Sequence, residues 1–170
     1  MTRIIFIIAA LGHGTKWAML NSPELFKIPK GQGLFLTFGT PNQLDLYGKT
    51  NPFPRINETI KQNLLTTPPY HSLVYCGWEL IDCLPDLWCN YPNARYFITT
   101  DTFSATMWEE YLKGSHKNPF IKPEDWSETA QDKLNVQFDK IKEFLKEKKY
   151  TLMCDEKNEI AMAGMKGIYI

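Results

Sequence analysis

The feature that most limits the fold lies near the amino end, where Ile4-Ile5-Phe6-Ile7-Ile8-Ala9-Ala10-Leu11 runs without a polar residue and then meets Gly12-His13-Gly14. A strand with one wet face alternates apolar and polar side chains; residues 3–11 instead offer apolar side chains to both faces. Such a strand requires cover on each side. It also carries a histidine, held between two glycines, to its tip.

The remaining elements are compatible with that demand. Gly33 to Gly39 reads as a second strand bounded by glycines, and Phe26-Lys27-Ile28 as a short third strand closed by a turn at Pro29-Lys30-Gly31. Residues 41–56, with Pro41, Pro52 and Pro54, read as an irregular surface loop. Ile56, Ile60 and Leu64 predict a helix over 56–65, ended by Pro68 and Pro69. Ser72 to Cys76 reads as a short strand or turn, and Trp78 to Leu87 as a helix stopped near Pro85.

Further along, Ala94 to Thr100 is β-branched and aromatic, as a strand requires. Asp101 to Ser104 supplies caps for a helix at about 105–113, which Gly114 would close. Ala130, Leu134, Phe138, Ile141 and Leu145 predict a long helix over 127–149, with Lys146, Lys148 and Lys149 at the end where cations favour the helix dipole. Strands are expected at 150–154 and 159–163. The expected architecture is therefore one α/β domain spanning 1–170, a mixed or parallel sheet flanked by helices.

Charge narrows the partners. Nineteen basic residues balance nineteen acidic ones, so no global field attracts nucleic acid or an anionic membrane surface. A membrane-spanning helix needs roughly 20 apolar residues, and no such run exists, so stable membrane insertion is not expected. Arg3 before an apolar run resembles a secretory signal, but the run is short and His13, Lys16 and Trp17 interrupt any small-residue cleavage site. A cytoplasmic protein, or one exported without a Sec signal, fits these residues. The sequence carries no signal for oligomeric state.

His13, Cys154 and Asp101 are the residues with the most chemistry to offer. Loops at the carboxyl ends of strands line the ligand crevice of an open α/β sheet. His13 there can act as a general base, because its ordinary pKa lies near neutrality. Cys154 ends the expected 150–154 strand, and an imidazole beside a thiol draws it towards the reactive thiolate. Asp101 ends the 94–100 strand and is suited to orient a histidine, or equally to cap the following helix. Gly12 and Gly14 allow close approach of a ligand, and Thr99 and Thr102 are placed to meet a polar or anionic group.

Bland readings stand beside each of these. His13 serves equally as a turn residue bonded to a carbonyl, and Cys154 as a buried thiol before a turn. Cys76 is a competing thiol in a core-like setting. Cysteines 76, 83, 89 and 154 do not have tight zinc-ligand spacing, and no phosphate-binding loop, dinucleotide fingerprint or nucleophile elbow occurs. No cofactor or metal is expected. Tyr70, Tyr75, Trp78, Trp88, Tyr91 and Tyr96 suit either a recognition surface or the core, with core packing favoured for most.

Gly12-His13-Gly14 after a buried strand, followed by Phe26-x-Ile28-Pro29-x-Gly31-x-x-Leu34-x-Leu36-x-Phe38, resembles the bacterial Stv-type adhesin domain. The resemblance covers the first forty or so residues; helix 127–149 and Cys154 agree in placement. It implies an α/β fold of caspase-like flavour and an effector- or toxin-associated protein with a Cys–His site. Asp155 and Glu156 follow Cys154 where the family has arginine, and they offer no positive charge to favour a thiolate. Two readings follow: an interaction domain that binds a protein partner, or a cysteine-dependent hydrolase acting on a small polar or peptide substrate through His13 and Cys154.

Overall fold

The computed structural model describes residues 2–8, 22–24, 26–39, 50–99, 128–147, 159–162 and 165–169. Their order is β1 (Arg3–Ile8), β2 (Gly33–Thr37), α1 (Phe53–Thr66), β3 (Ser72–Cys76), α2 (Glu79–Asp82), α3 (Leu84–Asn90), β4 (Arg95–Thr99), α4 (Glu128–Glu147), β5 (Glu159–Met162) and β6 (Met165–Tyr169). The strands form one six-stranded mixed sheet in the order β2-β3-β1-β4-β6-β5. Strands β2, β3, β1 and β4 are mutually parallel, and β6 runs antiparallel to both β4 and β5. The fold is α/β.

Handedness explains which connection covers which face. The connections from β2 to β3 and from β3 to β4 advance across the sheet in one direction, while that from β1 to β2 goes back the other way. Crossovers between parallel strands are right-handed, so opposite directions must lie on opposite faces. The two cores agree. On one face Phe6, Ile8, Leu73, Tyr75, Tyr96 and Ile98 pack with Ile56 and Ile60 of α1, Leu80, Leu84 and Leu87 of α2 and α3, and Ile141 and Phe144 of α4. On the other, Ile5, Ile7, Val74, Cys76 and Phe97 pack with Phe26 and Ile28 from the β1–β2 connection. The last four residues of β1 are thus buried on both faces, as the apolar run requires.

Three aromatics tie the centre together. Phe6 is in register with Tyr75 on one side and Tyr96 on the other, with ring centroids 5.8 and 5.2 Å away. Most of the aromatic cluster is therefore core; Tyr70 is the exception, exposed in a turn with φ +70°.

Several expectations need correction. Phe26 to Ile28 is not a strand: a helical turn at 22–24 ends there, with the Phe26 N–H donating to the Ser22 carbonyl and the Ile28 N–H to that of Pro23. The turn after it is present, closed by Gln32 N–H to Pro29 C=O. Pro85 does not stop a helix; it stands in the first turn of α3, where its missing N–H costs nothing. The helix predicted from 56 begins at Phe53, again with a proline in its first turn. The strand at 159 pairs with Met165–Tyr169, a strand the sequence reading did not include. The expected strand 150–154 and helix 105–113 lie outside the described residues.

Candidate functional site at the carboxyl edge of the sheet

The connection leaving β1 goes to one face, while those leaving both neighbours, β3 and β4, lead to helices on the other. In an open α/β sheet this divergence parts the loops above the strand ends, and ligands bind in the gap. The carboxyl end of β1 is that point. Ile7 is in register with Cys76 of β3, and Ile8 with Ile98 of β4.

Of the residues singled out from sequence, Thr99 is the last residue of β4, in register with Gly167 of β6. Gly12, His13, Gly14, Asp101, Thr102 and Cys154 lie outside the described residues. The described topology does bring the chain to five of them from one edge of the sheet. The chain runs into 9–14 from β1 and into 100–102 from β4, adjacent parallel strands that end at the same edge.

The described wall of this edge is a crossing of two loops. After β2, the Phe38 N–H donates to the Cys76 carbonyl (2.7 Å), and the Phe38 carbonyl accepts from Glu79 N–H (3.3 Å). Gly77, at φ +122°, lets this crossing close: a Cβ there would lie 1.9 Å from the Phe38 oxygen. Gly39, at φ +91°, lies against the Trp78 indole, which a Cβ would meet at 2.7 Å. A turn this constrained holds its side chains in place without help from a ligand.

Two side chains carry charge at the crossing. The Glu79 carboxylate is nearly buried and is ion-paired with the Arg55 guanidinium of α1, which is more than half exposed. Neither residue belongs to a motif in the sequence. The available signal was an acid within the otherwise apolar run Trp78-Glu79-Leu80-Ile81, since a carboxylate is rarely buried without a partner.

Two of the three described thiols, Cys76 and Cys83, are buried. The Cys76 Sγ donates to the Leu36 carbonyl at 3.5 Å and lies 3.6 Å from Thr37 Oγ1. Burial pushes the Cys83 thiol up to about 12, and the carboxylates of Asp86, Asp82 and Glu79 add to the shift. Its sulfur faces the Glu79 and Leu80 carbonyls at 3.6 and 3.8 Å. Cys89 is exposed, on the last turn of α3.

Among the described residues no group of three or more histidine, cysteine or acidic side chains is placed to hold a metal ion. No described helix is long and apolar enough to cross a membrane. No family model, curated protein or solved structure matches the chain.

Proposed function

We propose that the protein is an interaction domain that receives a protein partner at the carboxyl edge of its sheet, around the end of β1. The divergence of the β1 connection from those of β3 and β4 supports this reading, because ligands of open α/β sheets bind where neighbouring connections part to opposite faces. The rigid Phe38–Gly77 crossing gives that place a preformed wall, which lowers the ordering cost of association. Arg55 and Thr37 offer polar contacts on it. The resemblance read from the first forty residues adds an effector- or toxin-associated role.

A second reading has its own support. The adjacent strands β1 and β4 feed the segments carrying His13 and Asp101, the base and orienter of a cysteine hydrolase with Cys154 as nucleophile. In that chemistry Cys154 Sγ attacks a carbonyl carbon, and His13 takes the thiol proton and returns it to the leaving group. Backbone N–H groups near Gly12 or Gly14 hold the oxyanion.

Thiol labelling against pH, with each labelled cysteine identified by mass spectrometry, separates the two. The interaction reading expects Cys154 to label like an ordinary thiol, with a profile unchanged in His13→Ala. Rapid labelling of Cys154 at or below neutral pH, slowed in His13→Ala, overturns it in favour of the hydrolase.

A further inference from the structure

Strand β2 forms one end of the sheet, hydrogen-bonded to β3 alone among the described strands. Alternation along the strand shows which of its groups are used. The Gln32 carbonyl accepts from Ser72 N–H, and the Phe38 N–H donates to the Cys76 carbonyl, so the even-numbered residues point their backbone groups at β3. The N–H and C=O groups of Gly33, Phe35 and Thr37 therefore point outward.

Exposed edges are usually guarded by a charge, a proline or a bulge. The strand Gly33-Leu34-Phe35-Leu36-Thr37 has no charge and no proline, and it pairs with β3 residue for residue without a bulge. Leu34 is 40% exposed, on the face it shares with Leu36, although its register partner Leu73 is fully buried.

We propose that β2 pairs antiparallel with β2 of a second copy of this chain, about a two-fold axis through Phe35. The sequence is self-complementary in that register. Phe35 faces its counterpart, and Gly33 faces Thr37 of the other copy. These are the residues whose N–H and C=O groups point outward, so every outward group on both strands finds a partner. The intervening pairs set Leu34 against Leu36, covering the exposed leucine on each copy with an apolar side chain. A shift of one residue would face inward-pointing groups against outward ones and lose the ladder. The product is a closed dimer with one continuous sheet.

The test is sedimentation of the full chain from micromolar to millimolar concentration, with Leu34→Lys and Phe35→Cys. The expected result is a dimer whose dissociation constant rises roughly tenfold or more in Leu34→Lys, because an ammonium group would be buried opposite Leu36. In a hydrogen-bonded antiparallel pair the two Cα atoms stand about 5.5 Å apart, within disulfide range. Phe35→Cys should therefore cross-link through the two introduced thiols on mild oxidation, while Leu34→Cys, whose counterpart is Leu36, should not. Circular dichroism checks that each variant folds, and the cross-link decides the matter if Leu34→Lys does not.

A monomer at every concentration overturns the proposal. Hydrogen exchange then tells whether the Phe35 amide is open to another protein's strand or covered by a segment of its own chain. A dimer that Leu34→Lys leaves intact and Phe35→Cys fails to cross-link overturns it equally.

Discussion

Gly77 approaches Phe38 so closely that a methyl group on it would stand 1.9 Å from the Phe38 carbonyl oxygen. That oxygen accepts from Glu79 N–H, and its own residue's N–H reaches Cys76, so it cannot withdraw without breaking the crossing. Gly77→Ala is expected to cost at least about 3 kcal/mol, combining a left-handed φ with a backbone clash. For a chain of this length that lowers Tm by roughly 6–12 °C. Thermal unfolding checks it; a change below about 1 kcal/mol would mean the two loops part easily.

The Arg55–Glu79 pair gives a second test. Removing one partner of a fully buried pair costs about 3–5 kcal/mol. Arg55 is largely exposed and water screens the pair, so Arg55→Ala should cost less, about 1–2 kcal/mol. Glu79→Gln keeps a hydrogen-bond acceptor and removes the stranded charge, so the double variant should lose less than the sum of the singles. A denaturant double-mutant cycle reads this coupling, and strict additivity would refute it.

Cys83 makes stability pH-dependent on the alkaline side. Its folded pKa is pushed up from 9.0 to about 12, chiefly by burial. Below the ordinary value both states hold the proton, and the contribution of the protonated thiol to stability is fully present. Above it the unfolded chain loses the proton first, so the thiol's contribution is lost as pH rises from about 9 towards 12. The decline should approach about 1.4 kcal/mol per pH unit for this one group. Tyr75, raised to about 12, adds to it above its ordinary 10.0. Urea unfolding across that range should show the fall, flattened in Cys83→Ala. At neutral pH, alkylation should label exposed Cys89 well before Cys83.

How much of this was legible in sequence follows from the range of the interactions. The β1 run and the α4 pattern are local, and both elements are present at nearly the expected positions. Phe26-Lys27-Ile28 looked like a strand because its apolar residues alternate. Its N–H groups instead bond back to Ser22 and Pro23, while its side chains still cover β1. Pro85 is ambiguous in sequence, because one proline either ends a helix or begins one and only packing decides. Of the candidate site, only β1, the strand that leads to it, has a local pattern in the sequence. The Gly77–Phe38 crossing and the Arg55–Glu79 pair join residues 39 and 24 positions apart, and no local pattern carries that information.

Tyr96 separates packing from hydrogen bonding at the sheet centre. Its ring is fully buried, with the tilted rings of Phe6 and Trp88 centred 5.2 and 4.9 Å away. Its hydroxyl shares one proton between the Leu87 and Tyr91 carbonyls, at 3.0 and 2.9 Å, and so ties the end of α3 to β4. Each carbonyl also receives a backbone N–H, from Tyr91 and Ala94 respectively, so neither is orphaned when the hydroxyl goes. Tyr96→Phe should therefore cost only about 1 kcal/mol. Tyr96→Ala opens a cavity under three strands and should cost about 3–5 kcal/mol. Burial also raises the Tyr96 pKa above 10.0, so Tyr96→Phe should lessen the alkaline loss of stability. Equal losses in the two variants would mean that the hydroxyl, rather than the ring, holds α3 to the sheet.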